Sequence, residues 1–365
     1  MAPTIVDLRS DTVTKPSQAM REVIANAEVG DDVLREDPTI LALEEKCAKL
    51  LGKEKALFVP SGTMANLLST MSHCHERGLE IIIGDQAHVG IYEQGNVAQI
   101  AGVFARIIPN QKDGTLDLAT IAKTISTGGD AHLCKTKVIY LETTHNRCGG
   151  KILPLDYLQK VYNLAQENGI KVHIDGARLM NAAVGLGVPA SEITKYCDSV
   201  SLCFSKGIGA PVGSVLAGTE SFITRALRSR KALGGGMRQA GILAAAAIYG
   251  LDRVQETITR DHAHAKKLVN GLKNLSSSAV KVEPEEVQTN IMFIEINKDI
   301  AFISDLIKRL MTTTDDEVKE LGKEIHVRCA NMGQRIRLVT NWNLSEQDID
   351  DAIKKLCYVF SEKNL

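Results

Sequence analysis

Short continuous apolar runs alternate with amphipathic stretches through the first two-thirds of the chain. The runs Ala56–Val59, Glu80–Ile83, Phe104–Ile108, Lys137–Leu141, Lys171–Ile174, Ser199–Phe204 and Gly213–Ala217 read as strands, and their lack of polar alternation predicts burial on both faces. Between them, Gly62–Arg77, Leu118–Ser126, Pro154–Asn168 and Thr219–Leu233 carry helical periodicity. Strands alternating with helices predict an α/β domain with a mainly parallel sheet. The pattern then changes. Gly241–Asn274 has few helix breakers and predicts one long helix. After it come strands at Val280–Val282 and Ile291–Ile296, a helix from Ile300, and strands at Ile325–Cys329 and Arg335–Val339. The last helix is capped by Ser345, with Glu346 in its first turn. These elements predict a smaller α+β domain and a boundary near residue 250. Residues 1–250 then form an N-terminal arm and a large domain, and residues 251–365 a small C-terminal domain.

Composition mainly removes possibilities. The 365 residues are 44% apolar and 24% charged, the range of a globular chain. Net charge is −1 with both signs mixed along the sequence, which argues against a nucleic-acid partner. Apolar runs such as Ile242–Tyr249 are too short to cross a bilayer, so no membrane association is expected. Met1–Thr14 has neither the basic-then-apolar layout of a signal peptide nor the Arg/Ser-rich layout of a transit peptide, so a cytoplasmic location is expected. The eight cysteines are scattered without a C-x-x-C pair, which fits reduced thiols. His73-Cys74-His75 places its ligand types on different faces of a helix, a poor metal geometry.

Chemistry concentrates in four segments. The apolar strand Ser199–Phe204 runs into Ser205-Lys206-Gly207. A lysine held at a strand end is partly desolvated, which favours the neutral amine that attacks carbonyls. Upstream, Val172-His-Ile-Asp175-Gly-Ala-Arg178 again ends a strand in a charge. A carboxylate there can pair with the protonated ring nitrogen of pyridoxal phosphate (PLP), and Arg178 can fork onto a substrate carboxylate. Phe58-Val-Pro-Ser61-Gly62-Thr63 breaks a strand and opens a helix, whose N-terminus can cradle a phosphate. His88, just past a strand, can stack on a cofactor or take a proton, and His132 lies before another strand. Two arginine segments remain: Arg230–Gln239, with its triple glycine, and Arg335-Ile-Arg337-Leu-Val-Thr340 in the small domain. Each segment alone has an ordinary explanation, such as a solvated turn lysine, an N-cap serine or a surface ion pair. In combination and in this order they resemble the aspartate-aminotransferase-like, fold-type I PLP enzymes.

The chain also resembles the threonine aldolase family over nearly its whole length. The matching segments include Val6–Thr14, Gly30-Asp-Asp32, Ser61–Asn66, Glu142–Asn146, His173–Leu179, Leu202–Gly207, Gly234–Gln239 and Arg337–Thr340. Phe204 before Ser-Lys, and Asn341-Trp342 after Val-Thr, depart from the family pattern. The resemblance implies that Lys206 holds PLP as a Schiff base, Asp175 its pyridine nitrogen and Ser61, Gly62 and Thr63 its phosphate, with His88 stacked on the ring. It implies that Ser10, Arg178 and Arg337 bind the substrate carboxylate. Lys231 and Arg238 would reach a neighbouring subunit's phosphate in a homotetramer, a dimer of dimers. A cation near Thr12, Thr14 and Ser205 is a weaker implication.

The expected reaction is retro-aldol cleavage of L-threonine, L-allo-threonine and related β-hydroxy-α-amino acids to glycine and an aldehyde. His88, or a water between His88 and His132, would be the base, with Tyr92 near the β-hydroxyl. The alternatives are β-elimination or transamination on the same scaffold, or a catalytically silent PLP-fold subunit.

Overall fold

A computed structural model describes residues 3–275 and 279–362. The chain divides into two compact units: Pro16–Val254, and a smaller one combining Met1–Lys15 with Gln255–Leu365. The expected grouping of the N-terminal arm with the large domain is therefore corrected. The cause is a backbone ladder: β1 (Thr4–Asp7) pairs in parallel register with the distant strand Ile325–Arg328. Val6 and Leu8 enter the apolar core of the smaller unit beside Leu268, Val327 and Leu356.

The large unit is built on β2 (Lys55–Val59), β3 (Leu79–Gly84), β4 (Phe104–Ile108), β5 (Lys135–Glu142), β6 (Lys171–Gly176), β7 (Ser199–Cys203) and β8 (Ser214–Gly218). Their spatial order is β2-β8-β7-β6-β5-β3-β4. Only β8 runs against the rest. The chain therefore leaves β2, β3, β5, β6 and β7 at one edge of the sheet. β3, β7 and β8 are buried along their whole lengths, as continuous apolar strands require. The order reverses at β3, since β4 follows it outward while β5 returns on its other side. In open α/β sheets, ligands lie outside the carboxyl ends of the strands at such a reversal.

The expected long helix is two helices, Gly241–Leu251 and Val254–Leu272, separated by a turn at Asp252-Arg253. Their surfaces differ in kind. The first is apolar nearly all round and buries Ala244–Ala247 in the large unit, whereas the second is amphipathic and lies beyond the unit boundary. Among the described residues, no helix is long and apolar enough to cross a membrane.

The smaller unit holds β9 (Val280–Val282), β10 (Ile291–Ile296), β11 (Ile325–Arg328), β12 (Ala330–Asn331) and β13 (Arg335–Val339). Four of these form an antiparallel sheet in the order β12-β13-β10-β9. The final helix, Glu346–Phe360, opens with a capping box. The Ser345 hydroxyl accepts from Asp348 N–H, and the Asp348 carboxylate accepts from Ser345 N–H at 2.8 Å.

Asp261, on the helix Val254–Leu272, is fully buried, and neither carboxylate oxygen has a hydrogen-bond donor among the described residues. Burial, reinforced by the charge of Asp11 and only partly opposed by Arg260, pushes its carboxyl up to about 8. The folded chain thus keeps a proton that the unfolded chain releases near about 4. The stability tied to that proton is fully present below about 4 and is lost as pH rises through about 8. Asp261→Asn is expected to remove this loss, which has a slope of up to about 1.4 kcal/mol per pH unit. Urea unfolding of both proteins from pH 5 to pH 9 checks it; parallel curves would contradict the assignment.

Candidate active site

The exits from β6, β7, β3, β5 and β2 carry the reactive side chains. β6 delivers Asp175, whose buried carboxylate accepts from Asn66 Nδ2 at 2.8 Å and from Ala177 N–H at 3.0 Å. Burial opposes its ionisation, but the charges of His88 and Lys206, with the two N–H donors, outweigh burial and hold it below the usual carboxylate range. Glycine must follow, because a Cβ on Gly176 would sit 2.4 Å from the Ser201 carbonyl oxygen.

β7 leads into Phe204-Ser205-Lys206, where a tight turn closes through Gly209 N–H to the Lys206 carbonyl at 2.8 Å and Phe204 N–H to the Gly213 carbonyl at 3.0 Å. Gly209 and Gly213 occupy φ of +82° and +102°, which side-chain-bearing residues rarely adopt. This turn fixes Lys206 half-buried within the electrostatic reach of both Asp175 and His88.

The β3 exit carries His88. Its backbone N–H donates to Glu142 Oε2 at 2.8 Å, while Asn146 N–H donates to Glu142 Oε1 at 2.9 Å. One carboxylate at the end of β5 therefore ties two loops across the sheet reversal. The His88 ring bonds through Nδ1 to Glu93 Oε1 at 2.8 Å and lies 5.3 Å from the Tyr92 ring, centroid to centroid. Burial alone would lower the His88 pKa; the Glu93 bond and the charges of Asp175 and Glu93 overcome both burial and Lys206 and raise it. Glu93 itself is pushed up, by burial first and then by the nearby Asp175 charge.

At the β2 exit, Ser61 caps the helix Gly62–His73, accepting from Met64 N–H at 3.2 Å. A Cβ on Gly62 would meet Cys203 Sγ at 2.7 Å, so glycine lets this helix start pack closely against β7. Arg178 is buried at the N-cap of the helix Leu179–Leu186, with Nη1 3.4 Å from Asn146 Oδ1. His88, Glu93 and Asp175 bring ligand-type atoms within 4.8 Å of one another. Each is already engaged by a hydrogen bond, and the Lys206 charge sits beside them, so the cluster is better matched to an organic cation–anion pair than to a metal ion.

A family model described as "Beta-eliminating lyase" matches residues 7–298. The low-specificity L-threonine aldolase of Escherichia coli K12 is 44% identical over 350 residues, spanning 95% of this chain and 97% of the relative. Low-specificity L-threonine aldolase 1 of Arabidopsis thaliana is also 44% identical, over 345 residues, 94% of this chain and 93% of the relative. This chain belongs to the threonine aldolase family. A solved threonine aldolase from Leishmania major superposes with a TM-score of 0.79, covering 98% of this chain and all of that one; at 17% identity it establishes the shared PLP fold-type I architecture alone.

Within this member of the family, the sequence candidates are not all brought together. Lys206, Asp175 and His88 meet. Tyr92 stands beside His88, and its hydroxyl accepts from Arg147 Nη1 at 2.7 Å. His132 does not join them. It sits in the loop before β5 with 93% of its side chain exposed, bonded to Asp130 at 2.8 Å. Because Glu142 at the far end of β5 lies opposite Asp175, eight strand residues of about 3.3 Å each put His132 beyond the other end of the strand, about 25 Å away. The expected water between His88 and His132 is therefore corrected for one chain, where the two rings stand at opposite ends of the sheet.

Lys231 ends the helix Glu220–Ala232, facing solvent, and Arg238 is 58% exposed and pairs with Asp31 at 2.9 Å. Ser10, Thr12, Thr14 and Arg337 belong to the smaller unit. There Thr12 Oγ1 donates to Ser10 Oγ at 2.9 Å, Thr14 Oγ1 to the Asp11 carbonyl at 3.4 Å, and the buried Arg337 donates to the Arg9 carbonyl at 3.2 Å. Ser205, the third cation candidate, is the half-buried neighbour of Lys206 in the large unit. Two site residues carry no role in the sequence reading: Glu93, which orients His88, and Asn66, the last residue of the matched segment Ser61–Asn66, which bonds both acids. The available signal for Asn66 is a polar residue inside the otherwise apolar helical run Ala65–Leu68.

Proposed function

We propose that this chain is a PLP-dependent aldolase that cleaves L-threonine, L-allo-threonine and related β-hydroxy-α-amino acids to glycine and an aldehyde. The observation that carries the reading is the meeting of a strand-end amine, Lys206, with a buried ionised carboxylate, Asp175, and an imidazole oriented by a buried acid, His88, at the carboxyl edge of the sheet. The residues fit the cofactor. A carboxylate kept anionic in the interior suits a protonated ring nitrogen, an adjacent amine suits an aldehyde, and the free N–H groups at the start of the helix Gly62–His73 suit a phosphate. PLP, when bound, supplies an electron sink for the bond broken at Cα.

The chain's own groups do the rest. Lys206 would hold the aldehyde carbon, Asp175 the ring nitrogen, and Ser61, Gly62 and Thr63 the phosphate, with His88 beside the ring. Arg178 takes the substrate carboxylate, for which a planar guanidinium fork is suited, the part that the family resemblance also implies for Ser10 and Arg337. His88 accepts the β-hydroxyl proton, and Glu93, bonded at Nδ1, keeps Nε2 turned to that task. Loss of that proton lets the Cα–Cβ bond break into an aldehyde, and reprotonation at Cα leaves glycine. The proposal extends to a cytoplasmic homotetramer in which Lys231 and Arg238 reach a neighbour's phosphate, supported by the outward position of both side chains and by buried thiols such as Cys47 and Cys197.

Purified chain supplied with PLP and L-allo-threonine is expected to release acetaldehyde, read by alcohol dehydrogenase and NADH loss, with one glycine per aldehyde. Release of an α-keto acid in place of glycine would instead establish β-elimination or transamination.

A further inference from the structure

Asn66 is placed between the two buried acids of the site. Its Nδ2 lies 2.8 Å from Glu93 Oε1 and 2.8 Å from Asp175 Oδ2. On its other side, Oδ1 lies 3.3 Å from His173 Nε2 and 3.3 Å from Ser201 Oγ. Ser199 Oγ then stands 2.8 Å from His173 Nδ1 and 2.8 Å from His73 Nε2. All of these side chains are buried.

Donor and acceptor chemistry favours one direction for each bond in this chain. Glu93 Oε1 faces Asn66 and the His88 ring, Oε2 faces Asn96 Nδ2, and Asp175 faces Asn66 and Ala177 N–H, so both acids act as acceptors. Asn66 must turn its two N–H groups to them and its oxygen away. That oxygen can only accept, so His173 carries its proton on Nε2 and Ser201 donates. Burial pushes His173 down to about 4 and His73 down as well, so each ring is neutral, with one donor and one acceptor. His173 Nδ1 therefore accepts the Ser199 hydroxyl proton, and Ser199 in turn accepts from His73 Nε2–H. The reverse assignment would set the bare Nε2 of His173 against the Asn66 oxygen.

We propose that Asn66 is a positioning residue: its amide, locked by the His73–Ser199–His173 relay and by Ser201, bridges Glu93 and Asp175 so that two neighbouring buried acids stay ionised together. One acid then orients His88 and the other faces the cofactor nitrogen, so this inference rests on the roles proposed above. Neither acid could keep its charge as readily without the bridge, because like charges and burial both favour protonation. Tyr140 steadies the same residue, with its hydroxyl 3.2 Å from the Asn66 carbonyl oxygen.

The first test is made on wild-type apoprotein. Neutron diffraction is expected to show deuterium on Nε2 of both His73 and His173; deuterium on Nδ1 of His173 overturns the relay. The second is Asn66→Ala. Loss of N–H bonds to charged acceptors is expected to weaken PLP uptake by the apoprotein roughly 10- to 100-fold. It should also lower the His88 titration midpoint, followed by histidine NMR, by about one pH unit, since Glu93 and Asp175 hold less charge beside it while Lys206 still repels it. A packing role alone leaves that midpoint unmoved, and an unmoved midpoint overturns the proposal. If Asn66→Ala does not fold, Ser201→Ala, which removes one donor to the amide oxygen, is expected to shift the midpoint in the same direction by a smaller amount, and no shift overturns it. Tautomers and midpoint are read without cofactor. Their failure is thus distinct from failure of the wild-type chain to take up PLP, which would overturn the functional reading instead.

Discussion

Lys206→Ala is expected to lower aldehyde release from L-allo-threonine by roughly 10⁴-fold or more, the scale reached when a covalent catalyst is removed. The same change should abolish the visible absorbance that PLP gains on covalent attachment. Two contributions are lost together, since the amine proposed as the attachment point is also a positive charge acting on Asp175 and His88. Lys206→Arg separates them. The guanidinium keeps the charge but is not a carbonyl nucleophile at ordinary pH, so a covalent role predicts that arginine fails as alanine does. If Lys206→Arg kept substantial activity and the absorbance, Lys206 would be acting only through its charge, and another amine would have to carry the cofactor.

The elements around this lysine are legible in the sequence because each leaves a local trace. The run Ser199–Phe204, which holds β7, is stopped by Ser-Lys-Gly, and the run Lys171–Ile174, which opens β6, by Asp-Gly, so two strand ends and their charges stand out from the residue pattern by itself. That they lie side by side is a property of strand order, and β6 and β7 are indeed parallel neighbours, with Asp175 paired to Ser201. Parts that depend on distant pairing leave no such trace. β1 is four residues long and its partner lies more than 300 residues away, so it reads as part of an arm. His132 and His88 look alike as loop histidines, yet one precedes its strand and the other follows its own. In a parallel sheet that difference decides which edge a residue occupies. Glu93 and Asn66 are silent for another reason: a buried polar side chain on a helix or turn declares its partners only in three dimensions.

Asp175→Asn tests the other half of the site with little change in shape. Asp175 now takes Asn66 Nδ2 on Oδ2 and Ala177 N–H on Oδ1, and the single oxygen of the substituted amide can serve only one of these donors, so one hydrogen bond is lost while the side-chain shape is kept. The charge disappears with it. The wild-type carboxyl is held below its ordinary range by His88 and Lys206 against the cost of burial, so it contributes stability that is present above about 4 and lost as pH falls through its lower folded value. The amide variant should lack that acid-side loss. In the loaded enzyme, a neutral amide no longer favours a proton on the ring nitrogen, and the electron sink weakens. Cleavage is expected to fall by about 10³-fold through kcat, within the range for losing one preorganised electrostatic partner. The His88 titration midpoint should fall as well, because Asp175 is among the charges that raise it. Asp175→Glu restores charge but displaces it by one methylene, so it should recover the His88 midpoint more fully than the rate. Wild-type kcat in Asp175→Asn, with the His88 midpoint unchanged, would mean that no reacting group senses this carboxylate, and the chemistry would have to be sought at another part of the sheet edge.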